Sequence, residues 1–314
     1  MVVTRLVVAA SFAFAIVAGP ASATDSASPF GAISATLKSA LADTGAPGDA
    51  LLIGKKDTIF YVETAGKASL TTAINLPAKT DIAQLMLMLA LIDSGFLDLD
   101  DPVKNYLTLY KFEPTLTIGQ LMAQRASGGK EAAQASQALI LVAESAAARP
   151  WEALFKQWIA TPAGLENTQY QKAPGLASAL GAKAPTGVVE TNGRDYARLL
   201  LALTNGGTVR SKEILSPKMN DLVFRSQMIG GPSCLRQDET AMCNLIEQDA
   251  VGLYAWVDRS RGLYGVFTAP GAEVSIAKAG REIRAEAETI FDREQAGAGL
   301  TSATGTGADH SIGK

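Results

Sequence analysis

The strand-prone segments of this chain lie towards its two ends and the helix-prone segments lie between them, an order that few folds accommodate. Near the amino end, Ala50 to Ile53 and Thr58 to Glu63 are β-prone runs flanking Gly54-Lys55-Lys56-Asp57, the pattern of a hairpin. Near the carboxyl end, Val251 to Val257, Leu263 to Thr268 and Ala272 to Ala277 are β-rich, separated by Asp258 to Gly262 and by Pro270-Gly271, so an antiparallel meander is expected. Between them, Asp81 to Ser94 reads as a buried helix capped by Thr80 and stopped by Gly95. Leu116 to Arg125, Ala135 to Ala147, Trp151 to Ala160 and Arg194 to Thr204 read as further helices. Arg281 to Arg293 sets Ile283, Ala287 and Ile290 on one face at helical spacing, so a closing helix should pack on the sheet. An antiparallel sheet drawn from both chain ends, with a large helical insertion, makes an α+β fold.

At the amino terminus Arg5 precedes an apolar run from Leu6 to Ala18, followed by Pro20 and Ala21-Ser22-Ala23. This is the pattern of a secretory signal peptide cut after Ala23, and the run falls short of the roughly 20 residues a membrane-spanning helix needs. No later stretch spans a membrane either, and a formal net charge of -3 gives no electrostatic reason to expect nucleic acid as partner. The expected organisation is a leader over residues 1–23, a folded body over 24–295, and a Gly/Ser/Thr/Ala-rich tail over 296–314 that lacks a hydrophobic period and should be disordered. The mature chain is expected in the periplasm or outside the cell.

The one histidine, His310, falls in that tail. Ser-His-Asp and Cys-His chemistry needs an imidazole held rigidly beside its nucleophile, and the folded body offers none. Zinc sites rich in His or Cys are excluded with them, which leaves only an all-carboxylate site for a hard cation open; no cofactor is expected. Cys234 and Cys243, nine positions apart, most simply form a disulfide in an oxidising compartment, with two buried free thiols as the alternative.

Four blocks, in order and at plausible spacing, carry a resemblance. Gly95-Phe96-Leu97-Asp98-Leu99-Asp100-Asp101-Pro102-Val103 is similar to the turn after the active-site helix of class C β-lactamases and related DD-peptidases and esterases. Leu116 to Met122 with Ala126-Ser127-Gly128 resembles the next helix and its Thr-Ser-Gly loop, and Pro150-Trp151-Glu152 through Pro162 to Thr168 resembles the segment ending in a Pro-Leu-Gly-Met turn. Arg194-Asp195-Tyr196-Ala197-Arg198 to Asn205-Gly206-Gly207, with Ile214-Leu215-Ser216-Pro217, resembles the Arg-Asp-Leu-Ala helix and its continuation. The resemblance to the serine β-lactamase and penicillin-binding-protein family runs from about Gly48 to Glu294. It implies a Ser-x-x-Lys nucleophile motif opening the helix before Gly95, a Tyr-x-Asn motif downstream, and a Lys or His with Gly on the last β region.

The departures fall on those positions. Counting back from Gly95 without gaps puts Ala78 at the serine and Asp81 at the lysine; a gapped register puts Gln84 and Leu87 there. Neither register supplies a lysine, because none occurs between Lys79 and Lys104. Glu131-Ala132-Ala133 stands where Tyr-x-Asn belongs, and the Lys/His-x-Gly region, placed near Phe267 to Gly271, offers no cation. Ser-x-x-Lys recurs at Ser127 to Lys130, Ser275 to Lys278 and Ser311 to Lys314. Ser311 lies in the tail, and Ser275 lies in an expected strand, where it and Lys278 would face opposite ways. Ser127 with Lys130 is the one catalytic candidate, set against a loop serine making a turn hydrogen bond. Asp81 and Glu131 would border the same cleft, as an acid-base pair or as a helix-start carboxylate and a solvated one. Trp151, Trp158 and Trp256, and Met86 with Met88, read as core rather than as a groove or cofactor box. The expectation is a non-catalytic envelope protein that binds or scaffolds a peptide, a cell-wall fragment or an envelope protein; the alternative is a weak hydrolase on ester, amide or β-lactam substrates using Ser127 and Lys130.

Overall fold

The computed structural model describes residues 4–6, 29–108, 112–127, 129–170, 189–225, 233–238 and 242–303. In chain order the elements are β1 (Thr4–Leu6), α1 (Gly31–Thr44), β2 (Gly48–Lys55), β3 (Thr58–Gly66), β4 (Ala73–Leu76), α2 (Ile82–Asp93), α3 (Ile118–Ala126), α4 (Gly129–Ala147), α5 (Trp151–Phe155) and α6 (Thr161–Ala163). There follow β5 (Gln169–Tyr170), β6 (Val189–Asn192), α7 (Gly193–Thr204), β7 (Thr208–Val209), β8 (Lys212–Glu213), α8 (Pro217–Phe224), β9 (Ser233–Gln237), β10 (Cys243–Ala250), β11 (Leu253–Asp258), β12 (Leu263–Thr268) and α9 (Ala277–Ala303).

A seven-stranded antiparallel sheet runs in the order β1-β3-β2-β12-β11-β10-β9, so the amino-terminal hairpin and the carboxyl-terminal meander meet at the β2–β12 pair, as the sequence implied. The period of two sends alternate residues to opposite faces. One face carries Leu51, Ile53, Trp256 and Phe267 against α1 and the apolar stripe Ile283, Ala287, Ile290 and Phe291 of α9. The other carries Leu52, Ala255, Val257 and Val266 against the helical lobe, whose centre is α2. Every residue of α2 from Ile82 to Leu91 is buried, so this stretch has no solvent face and packs on neighbours all round. Two strand pairs set an aromatic ring across a glycine: Trp256 faces Gly265, where a Cβ would sit 2.1 Å from the indole, and Tyr264 faces Gly54 at 2.3 Å. Gly280 of α9 gives the same clearance, 2.2 Å, to Tyr254.

Several expectations need correction. The cap of α2 is Asp81, because Thr80 closes a 3-10 turn over Ala78–Thr80 and hydrogen-bonds back to Pro77. Val251 and Gly252 form the turn between β10 and β11, and β9 and β10, whose polar side chains obscure the alternation, went unread. Ala272 to Ala277 is not a strand. Ser275 precedes α9 and its Oγ accepts from the Ala277 amide at 3.2 Å, so strand geometry does not separate Ser275 from Lys278; both are simply exposed. Helix α9 continues past residue 295 to Ala303, into the segment expected to be disordered, and residues 304–314, His310 and Ser311 included, lie outside the described residues. Among the described residues, no helix is long and apolar enough to cross a membrane.

Cys234 and Cys243 are bonded, with Cα atoms 5.7 Å apart, which ties edge strand β9 to β10. Trp151 and Trp256 are core, while Trp158 is half-buried and edge-on to the exposed Phe96.

Candidate functional site

Pro77 leaves β4 in extended backbone, the Ala78–Thr80 turn reverses direction, and Asp81 starts α2 by accepting the Gln84 amide on Oδ1 at 2.9 Å. This side-chain cap satisfies one of the amides a helix leaves open at its start. Ala78, the serine equivalent of the ungapped register, therefore sits in the turn before α2, and Asp81, its lysine equivalent, at the helix start. Gln84 and Leu87 lie inside the helix and fully buried, and Gln84 exchanges hydrogen bonds with Ser136 of α4 at 2.8 and 2.9 Å. The gapped register thus puts its serine equivalent against a neighbouring helix.

Beneath the turn lies Arg125, 1% exposed. A Thr117/Gln120 capping box starts α3, and Ile118, Leu121, Met122 and Arg125 then share its buried face, so the guanidinium is carried inward on an apolar stripe. One nitrogen donates to the Ala78 carbonyl at 2.6 Å and to the Asp81 carbonyl at 2.9 Å. Burial pulls Arg125 below its ordinary value, with the Asp81 charge opposing, yet a guanidinium starts high enough to stay protonated. Burial pushes Asp81 above the usual carboxylate range, opposed by the Gln84 amide, the Arg125 charge and the Tyr170 hydroxyl. Its Oδ2 is buried with no hydrogen-bond partner among the described residues.

Two tyrosines complete the cluster. Tyr170 donates to Asp81 Oδ1 at 3.1 Å; its ring packs on Ala78 and Ala132 and stands edge-on to Trp151 and Phe155, both at 5.1 Å. Tyr196 donates to the Thr80 carbonyl at 3.0 Å. Next to Tyr196, Asp195 donates its amide to the Asn192 cap and receives the amides of Glu166 and Asn167 at 3.0 and 2.7 Å, fixing the turn that delivers Tyr170 into β5. The Arg-Asp-Tyr-Ala-Arg block thus acts through its aspartate and tyrosine as a brace behind the turn.

Across the mouth of the site the strand that reaches the turn is β10, with Asp249 at 3.9 Å from Lys79. This corrects the placement of the Lys/His-x-Gly region at Phe267 to Gly271: Thr268 is buried against Gly193 and the Ala50 carbonyl. The strand that does face the turn, Cys243–Ala250, carries no Lys, Arg or His. Ser127 is exposed and its hydroxyl donates to the Gln124 carbonyl at 2.7 Å, the turn hydrogen bond set against a catalytic role. Lys130 and Glu131 are both exposed in the first turn of α4, whereas Asp81 is buried; Ala132, next to Glu131, is the residue of that turn that meets Ala78. Asp81 and Glu131 therefore do not converge as an acid-base pair. No group of three metal-ligating His, Cys, Asp or Glu occurs among the described residues.

The model of the beta-lactamase family matches residues 33–225, more than half of the chain. The chain belongs to the beta-lactamase family. No curated protein matches it. Solved structures share the fold at low identity. A protein from Bacteroides dorei assigned as a beta-lactamase superimposes with a TM-score of 0.69 at 18% identity, over 84% of this chain and 99% of that one. A penicillin-binding-protein homologue from Caulobacter crescentus gives 0.62 at 15%, over 83% and 97%. A class C beta lactamase from Rhodobacter sphaeroides gives 0.60 at 14%, over 84% and 99%. In this beta-lactamase-family chain the residues that sequence reasoning missed are Arg125, Tyr170 and Tyr196. Arg125 was detectable as a charged residue seven positions after Ile118 on an apolar helix face; Tyr170 had no local signal, since its partner Asp81 is 89 positions away.

Proposed function

We propose that this chain is an exported, non-catalytic member of the beta-lactamase family that binds or scaffolds a peptide, a cell-wall fragment or another envelope protein. The observation that carries the reading is the start of α2, where Ala78 and Asp81 stand in the turn and at the cap and the space is taken by Arg125 and Tyr170. Acyl transfer by a serine needs a free hydroxyl with a base beside it, which the family resemblance places at this helix start. Here the turn offers the Ala78 methyl group and a buried Thr80 hydroxyl that donates to the Pro77 carbonyl, the buried carboxylate is engaged in capping its own helix, and the Ser127 hydroxyl donates to a backbone carbonyl. Export is supported by the apolar run before Ala23 and by the Cys234–Cys243 bond. Cleavage there would remove β1 and leave β3 as the sheet edge.

The test is to expose purified chain to a fluorescent penicillin, a fluorophosphonate probe and a chromogenic cephalosporin. No stoichiometric label and no turnover are expected. Labelling of any serine would overturn the reading, and labelling lost in both Ser127→Ala and Lys130→Ala would establish the hydrolase alternative. Amino-terminal sequencing of periplasmic protein, expected to begin at Thr24, tests export separately.

A further inference from the structure

On the sheet face opposite the candidate site, two carboxylates lie buried side by side. Asp49 of β2 and Glu63 of β3 are 0% and 1% exposed. The β2–β3 register pairs Asp49 with Ala65 and Leu51 with Glu63, so the two acids are diagonal neighbours on the face that α1 covers. Glu63 accepts from Ser34 of α1 at 2.8 Å and from Tyr61. Neither carboxylate oxygen of Asp49 has a hydrogen-bond partner among the described residues. An ionised carboxylate in that position would be desolvated and next to a second acid, and a proton held on Asp49 avoids both.

We propose that Asp49, packed beside Glu63, holds a proton beneath α1, and that losing it loosens this helix from the sheet, so that the face acts as a pH-responsive clasp. Lys55 of β2 shares this face, with its ammonium 5.4 Å from the ring centre of Phe291 on α9. The buried face of α1 consists of Ile33, Ser34, Leu37, Ala40, Leu41 and Thr44, and the face of α9 buried beside it is apolar. Tyr61 is the remaining titratable group on this face of β3; Lys38 and Asp43 on α1 and Lys67 after β3 are exposed. Arg5 of β1 is the register partner of Glu63, and would leave with the leader. Burial pushes Asp49 up to about 7, the Glu63 charge adds to the rise, and the Ala65 amide opposes it. Because the folded value lies above the unfolded one, the protonated clasp is favoured in acid and weakens as pH rises towards about 7, above which the loss is complete.

Hydrogen exchange of the peptide covering Gly31–Thr44, corrected for the intrinsic rate, reads the opening of α1 directly. The opening constant of the purified chain is expected to rise by up to about tenfold per pH unit between roughly pH 4 and 7, then level off. Asp49→Asn keeps the shape without the titration, so its opening should stay at the low acid value throughout. In Glu63→Gln the rise should end at a lower pH, since one of the two causes is gone. An unchanged pH slope in Asp49→Asn, a pH-independent wild type, or an Asp49→Asn chain that fails to fold at neutral pH would each overturn the proposal.

Discussion

Replacing Arg125 with methionine asks what the buried guanidinium contributes. The substitution keeps an unbranched chain of similar volume and deletes the charge and the donors. Two buried backbone carbonyls, of Ala78 and Asp81, then lose their charged donor at 2.6 and 2.9 Å and keep only the amides of Asp81 and Leu85 at 3.1 and 3.4 Å, and Asp81 loses the positive charge beside it. Hydrogen bonds to a charged donor are worth about 1.5–3 kcal/mol each, and removing one member of a buried charged pair costs about 3–5 kcal/mol. These contributions overlap, so a loss of about 3–5 kcal/mol is expected, a large part of the roughly 5–15 kcal/mol that holds a domain together. With a urea slope of about 2–3 kcal/mol/M the unfolding midpoint, followed by circular dichroism, should fall by about 1–2 M. Arg125→Lys should recover part of this, since an ammonium cannot reproduce the guanidinium's fixed fork. Adding Asp81→Asn to Arg125→Met should cost less than the sum of the two single changes, because the carboxylate no longer needs a countercharge. A midpoint within about 0.3 M of wild type for Arg125→Met would refute the view that this residue holds the turn.

Gly265→Ala should lower the thermal midpoint by several degrees, at about 2–4 °C per kcal/mol of overpacking, because its Cβ would fall 2.1 Å from the Trp256 ring; a midpoint equal to wild type would show that the indole moves freely. Replacing Cys234 and Cys243 together by serine should cost at most about 3 kcal/mol for so short a loop, with exchange rising chiefly in β9, and peptide mapping without reductant should find the two linked in the native protein.

The fold was legible where a local rule was strong. The β2–β3 hairpin announced itself through Gly54 to Asp57, and α7 through the apolar spacing that ends at Asn205-Gly206-Gly207. Strands β9 and β10 were missed because Ser233, Arg236, Glu247 and Asp249 break the alternation, and Glu247 turns out to be buried, bonded to Arg281 at 2.9 Å and Tyr254. At the candidate site, the lack of any lysine between Lys79 and Lys104 needed only the one-dimensional order of residues. What occupies the space instead did not, since the contacts of Tyr170 with Asp81 and of Arg125 with Ala78 join residues 89 and 47 positions apart.

The rings of Trp256 and Tyr264 lie on opposite faces of the sheet, each over a glycine of the neighbouring strand. Sliding β12 by two residues along β11 would set Trp256 against Leu263 or Phe267, and the same slip along β2 would set Tyr264 against Leu52 or Lys56. In each case a side chain would stand where the ring must lie, so the rings proofread the register of the meander by collision, and Gly280 under Tyr254 adds a third such fit between α9 and the sheet. This proofreading is distributed over β2, β11, β12 and α9 and involves none of Ala78, Asp81, Arg125 and Tyr170. Changes at the head of α2 can therefore alter or abolish chemistry while the strands go on finding the same alignment.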